Sequence, residues 1–114
     1  MKRKIKGLLI ETNQTVTVLD LDDDYIHIRD VIGAQCIDVI SAGDASFYVD
    51  DEGFLVPEPI RNPVATVLYR SLKGRALLPG GYIHGNVLVL GPPDGVGNDT
   101  DVPDSVLTLL GVSV

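Results

Sequence analysis

The stretch Ile32 to Phe54, IGAQCIDVISAGDASFYVDDEGF, decides the fold. It reads as a β-hairpin with a second turn directly behind it. Cys36, Asp38 and Ile40 alternate with Ile37, Val39 and Ser41 on the way out. Ser46, Tyr48 and Asp50 alternate with Phe47 and Val49 on the way back. A period of two marks strands whose two faces meet different surroundings. Ser41-Ala42-Gly43-Asp44 turns the chain, and Gly43 takes the positive φ that a glycine adopts without steric cost. Asp51-Glu52-Gly53 makes the next turn, with Gly53 in the same role. Asp38 and Asp50 face solvent or a strand edge. Cys36 is expected in the outgoing strand as a small buried hydrophobe. Phe54-Leu55-Val56 returns to the sheet or closes over its edge.

Toward the N-terminus, Lys6 to Glu11 and Thr15 to Leu21 read as two further strands joined by Thr12-Asn13-Gln14-Thr15. That turn has no glycine, so Asn13 is expected in the left-handed region. The acidic run Asp20, Asp22, Asp23 and Asp24 opens the next element. Carboxylates there cap free N–H groups and suit the positive end of a helix. Tyr25, Ile28, Val31 and Ile32 recur at three- to four-residue spacing, and Gly33 is a C-cap. Tyr25, His27 and Arg29 also alternate with Ile26 and Ile28, as a strand would; helix is the favoured reading.

Toward the C-terminus, Pro57-Glu58-Pro59 is a stiff extended spacer. Asn62 then caps a helix whose first position is Pro63, where a missing N–H costs nothing. Val64, Val67, Leu68 and Ser71-Leu72 form its expected buried stripe. Tyr69, Arg70 and Lys73 lie toward its end, and Gly74 stops it. Leu77 to Tyr82 is a loop with two adjacent glycines. Asn86 to Leu90, NVLVL, is uncharged and barely alternates, which suits a central strand covered on both faces. Gly91 to Asp104 is rich in glycine, proline and acid and reads as a loop or linker. Pro103-Asp104-Ser105 caps a short helix, Val106 to Leu110, that docks back on the body. The expected organisation is one domain over residues 1–91, an acidic loop over 92–104, and a short helix or tail over 105–114. The fold class is α+β: a mostly antiparallel sheet of about five strands with one or two helices on one face.

The chain's 114 residues are enough for one domain with a core of its own. Its single cysteine allows no internal disulfide, which points to a reducing compartment. Its net charge is −7, and from Glu11 onward sixteen acids face five bases. Such a body repels a phosphate backbone, so direct nucleic-acid binding is not expected. The basic head, Lys2 to Lys6, solubilises the start of an edge strand. No apolar run approaches the length of a membrane helix, and Glu11 interrupts the one that follows the basic head, so neither a membrane nor a leader is expected. The expected compartment is the cytoplasm.

No motif carries chemistry. Two histidines, His27 and His84, and Cys36 lack the close ligand pairs of a zinc site. Nothing places Cys36 at a helix N-terminus or beside a fixed cation, where its thiol would be activated. Neighbouring acids such as Asp22 to Asp24 and Asp50 to Glu52 are turn and cap residues. Asp94 to Asp101 has the composition of a calcium loop without its spacing or terminal glutamate. Gly91 to Gly97 follows a strand as a dinucleotide loop would, yet two prolines remove donors a phosphate needs. Little aromatic–basic interleaving argues against a stacking platform for single strands. The expectation is therefore no catalytic residue, no metal and no cofactor. The weak candidate for ligand contact is the loop before the last strand: Gly80, Gly81, Tyr82, His84 and Asn86.

The order of these pieces resembles a family of small domains encoded mainly by phages, plasmids and prophage-like regions. The resemblance rests on Val31-Ile32-Gly33-Ala34 leading into Cys36 to Ile40, then the acidic-glycine turn Asp50 to Gly53. It continues with Asn62-Pro63-Val64-Ala65 opening a helix, and Ile83-His84-Gly85-Asn86 introducing the strand that ends at Gly91. It covers residues 6 to 91. The chain departs from the pattern at Cys36, where an aromatic or polar residue is expected, and in its proline-rich spacer. The resemblance implies an accessory role in a mobile element and carries no site residues with it. Three functions follow as expectations. The first is a non-enzymatic protein that binds a host or phage protein, with a homodimer through an edge strand plausible on the same sheet. The second is an acidic mimic of nucleic acid, and the third a binder of a small, nucleotide-like ligand.

Overall fold

Val87–Leu90 carries no charge and no polar residue, and the computed structural model puts it where such a strand belongs, at the centre of the sheet. The structure describes residues 4–34, 36–50, 60–73 and 82–112, with Lys73 described through its backbone only. The elements in order are β1 (Lys4–Ile10), β2 (Val16–Asp22), α1 (Tyr25–Ile32), β3 (Ile37–Ala42), β4 (Ala45–Asp50), α2 (Pro63–Lys73), β5 (Val87–Leu90) and α3 (Asp104–Leu109). The five strands form one antiparallel sheet in the order β2-β1-β5-β4-β3. Two hairpins, β1–β2 and β3–β4, are thus sewn together by a strand that arrives late in the chain. The α+β class expected from the pattern of elements is the one observed.

Alternation along β5 feeds two cores. Val87 and Val89 point into a cluster with Leu8, Ile10, Phe47, Val49, Ala65, Leu68 and Tyr69. Leu88 and Leu90 point the other way, to Ile5, Leu21, Ile28 and Ile32. All four β5 side chains are fully buried. Burying one such side chain contributes about 1.5–3 kcal/mol, so this four-residue strand is a large part of the stability. Helices α2 and α3 pack on the first face, where α3 contributes Val106 and Leu107. Helix α1 lies against the second face through Ile28 and Ile32.

Local rules explain the element ends. Asp24 caps α1, its carboxylate accepting from the Ile26 N–H at 3.3 Å, and Gly33 closes it at φ 81°. Gly43 has φ 59° in the two-residue turn between β3 and β4, as the sequence requires. In the β1–β2 turn the left-handed residue is Gln14 (φ 73°), not Asn13. Asn13 instead uses its carboxamide oxygen to accept from the Thr15 N–H at 3.0 Å. Its side chain organises the turn and passes the strained backbone to its neighbour.

Three further expectations are corrected. Cys36 is exposed and precedes β3, so it is neither in the strand nor buried. In α1 the buried residues are Ile28 and Ile32; Tyr25 sits at the exposed first position. In α2 the buried stripe is Ala65, Thr66, Leu68 and Tyr69, whereas Val67 faces outward. The apolar residues of α2 outnumber the positions facing the core, and hydrophobicity alone could not choose among them. The residues expected to form the turn at Gly53, the patch Phe54 to Val56, the Pro57–Pro59 spacer and the Gly74 stop lie outside the described residues.

The acidic segment after Gly91 is a loop bound to the sheet. Gly91 N–H donates to Thr100 O (2.9 Å), and Val102 N–H donates to Lys6 O (2.8 Å). Lys6 N–H donates to the Asp101 carboxylate at 2.8 Å. A Cβ on Gly91 would collide with Asp101 O and Thr100 Oγ1, so only glycine lets the loop cross there. Val102 lies in the first core, which draws the loop and α3 into the same body as the sheet.

Candidate functional site

Asn62 is the residue from which this region is built. It is fully buried. Its Oδ1 accepts from the Ala65 N–H at 3.1 Å, the N-cap expected from its place before Pro63. Its Nδ2 donates to Ile10 O at 3.0 Å and to Gly85 O at 2.9 Å. One side chain therefore joins the start of α2, the end of β1 and the approach to β5. Thr66, one turn on, donates to Asn62 O (2.8 Å) and accepts from the Ile83 N–H (2.9 Å). Burying an amide is costly unless its groups are paired, and here both donors and the acceptor are.

This clasp lays two short segments side by side. Asn62 N–H donates to Ile83 O (2.8 Å), and Gly85 N–H donates to Ile60 O (2.9 Å). Arg61 and His84 form an antiparallel bridge between them. The clasp thereby fixes where Arg61 can reach. Its guanidinium lies over the Tyr82 ring, 4.3 Å from the centroid. Arg70, two turns into α2, brings a second guanidinium to 5.5 Å from the same ring. Stacking of this kind is worth about 0.5–1 kcal/mol at an exposed site and, more usefully, holds the cation still.

The outer stripe of α2 continues the surface. Pro63, Val67, Arg70 and Ser71 are all exposed, at the i, i+4, i+7 and i+8 spacing of one helix face. Ile60 and Val67 are each 62% exposed, next to the two arginines. Among the described residues no carboxylate lies within ion-pair distance of Arg61. The result is a patch of aromatic, aliphatic and arginine side chains held by a rigid frame.

Of the residues singled out for ligand contact, Tyr82 and His84 adjoin Arg61. Asn86 is elsewhere engaged: its Oδ1 accepts from the Thr12 N–H at 3.1 Å and its Nδ2 donates to Ile32 O at 3.3 Å. It ties the β1–β2 turn to the end of α1. Gly80 and Gly81 lie outside the described residues.

The second face carries a different polar group. Tyr48, half-buried on β4, donates its phenol O–H to the Asp99 carboxylate. Asp99 N–H in turn donates to Asp23 Oδ2 at 3.1 Å. Burial, the bond to Asp99 and the charges of Asp99 and Asp23 together push the Tyr48 phenol well above the ordinary tyrosine pKa. A phenol so held is a poor acid and a poor nucleophile, and its effect is to fasten the loop to β4. Among the described residues, no three His, Cys, Asp or Glu side chains converge to hold a metal ion. No helix among them is long and apolar enough to cross a membrane.

Fold and surface together define an α+β domain: a five-stranded antiparallel sheet, helices packed on it, and an arginine–tyrosine patch on the outer side of α2. The chain belongs to the family described as Domain of unknown function (DUF3846), whose model matches residues 5–111. The match runs past β5 through the acidic loop and α3, further than the pattern of strands and turns extends. No curated protein and no solved structure matches the chain.

One signal in the sequence points to the patch. Between Pro59 and Pro93 there is no acid at all, while Arg61, Arg70, Lys73 and Arg75 all fall there. The other residues hold sixteen acids and five bases. A charge count by segment separates a cationic strip from an acidic body; a count over the whole chain hides it.

Proposed function

We propose that the protein works by contact, as a non-enzymatic binding module that docks another protein on the outer side of α2. The observation that carries this reading is the patch of exposed Ile60, Arg61, Val67 and Arg70 around the half-buried Tyr82, anchored by the buried Asn62. Arginine and tyrosine dominate the energetics of protein interfaces, because each buries a large, stiff area and still makes polar bonds. A frame that already holds both cations loses little entropy when a partner arrives. An accessory role in a mobile element, with a host or phage protein as partner in the cytoplasm, is part of this reading and rests on the resemblance of the chain's layout. Nucleic-acid mimicry ranks second. The carboxylates of Asp24, Asp38 and Asp94 accept from backbone amides within four residues and that of Asp101 from the Lys6 N–H, so these acids already serve the fold.

The test is quantitative affinity capture with matched surface variants. Val67→Asp and Ile26→Asp each place a carboxylate on an exposed helix position, one on α2 and one on α1. The expected result is a specific partner retained by the wild type and by Ile26→Asp, and lost with Val67→Asp. Equal retention by all three, with all three folded, removes α2 as the contact surface.

A further inference from the structure

We infer that the segment docked on this surface is acidic, with an apolar side chain at its centre. This rests on the reading of α2 as the contact face and adds the chemistry of what it meets. Three observations support it. The patch is built from a sequence segment, residues 59–93, that holds no acid, in a chain whose remainder is strongly negative, with Asp50 of β4 adjoining it at Gly85. Arg61 is exposed, its guanidinium lies over the Tyr82 ring at 4.3 Å from the centroid, and among the described residues no carboxylate pairs with it, so its N–H groups suit an incoming carboxylate. Ile60 and Val67 flank the arginines as exposed aliphatic side chains, so a purely ionic ligand would leave them in water. A carboxylate-bearing segment with one leucine-like anchor covers both kinds of surface. Nucleic acid is disfavoured, because its many phosphates would extend beyond the strip and meet the acidic body.

The experiment is an amide chemical-shift titration of the full chain with three probes. They are a synthetic peptide of glutamates around a central leucine, the same peptide with lysines for glutamates, and a thymidine oligonucleotide. The glutamate peptide is expected to shift the amides of Ile60 to Ser71 and Tyr82 to Gly85, and to leave Tyr25 to Ile32 unmoved. Raising the salt weakens it, and Arg61→Glu weakens it by about tenfold while the spectrum stays dispersed. Val67→Ser is expected to weaken it without changing its salt dependence. Stronger shifts from the lysine peptide or the oligonucleotide overturn the inference, as does a glutamate peptide that ignores Arg61→Glu. A dimer that Arg61→Glu dissolves would seat a second copy there and overturn it too. If capture still depends on Val67 while the glutamate peptide leaves α2 unmoved, the acidic partner is wrong and the contact face stands.

Discussion

The two faces of the sheet share strand β5 but are fastened in opposite ways. On the face of α2 and α3, the polar fastener is neutral and fully buried: Asn62, joined to Ile10, Gly85 and Ala65. On the face of α1, it is ionic and half in solvent: Tyr48 and Asp23 holding Asp99. A neutral buried clasp keeps its strength across pH and leaves no charge to repel a partner. Carboxylates cannot be buried so cheaply, and they stay where water reaches them. Arg61 and Arg70 thus share their side of the sheet with a neutral buried frame, while Asp23 and Asp99 fasten the loop on the other side.

The contrast can be broken most severely at Asn62. Asn62→Leu leaves Ile10 O, Gly85 O and Ala65 N–H unpaired in the interior. A loss on the order of 3 kcal/mol is expected, or a Tm lower by roughly 10 °C, measured by thermal and urea unfolding. That loss should be the same at pH 6 and pH 8. A substitution where the acidic loop crosses the end of β5 comes next. Gly91→Ala forces a Cβ into Asp101 O and Thr100 Oγ1, at a cost of about 2 kcal/mol, and should free the loop amides to exchange with deuterium.

Tyr48→Phe sharpens the comparison. It removes the bond to Asp99 and should cost about 1 kcal/mol near neutral pH. Its pH signature has a definite sign. The folded state raises the phenol pKa, so the folded chain keeps its proton where the unfolded chain releases it. Wild-type stability attributable to Tyr48 is full below the ordinary tyrosine pKa of about 10 and declines as pH climbs beyond it. Urea titrations between pH 8 and 11 should show that decline in the wild type and not in Tyr48→Phe. The smallest effect belongs to the β1–β2 turn. Gln14→Gly relieves a left-handed non-glycine residue and should stabilise by about 0.5 kcal/mol, leaving both faces unchanged.

How much of this was legible depends on whether a feature is local. The N-cap role of Asn62, the left-handed Gly43 and the uncharged β5 are written in short windows, where a residue's chemistry and its neighbours suffice. The rest of Asn62 was not legible, because its bonds to Ile10 and Gly85 join segments 52 and 23 residues away. Helix rotation fell in between. Val67 looks like core by its side chain, yet α2 already fills its inner face with Ala65, Thr66, Leu68 and Tyr69. Cys36 departs from its expected place for a related reason. The alternation of β3 begins one residue later, at Ile37, and the preceding position is outside the ladder. The patch itself is recoverable from charge counted by segment, and Tyr82 and His84 stand out for their place beside a glycine pair. Their neighbour Arg61 carries no such mark, since nothing in its own window says that it lies over an aromatic ring.

The most direct measurement is in-cell photo-crosslinking from a single engineered position on each helix, with the photoreactive residue at Val67 on α2 or at Ile26 on α1. Both side chains are more than half exposed, so reach is matched. A discrete adduct with another protein from position 67, absent from position 26 and lost when Arg61→Glu is added, is the expected result. Adducts from position 26 alone, or the same adducts from both, would contradict the assignment of the contact face to α2.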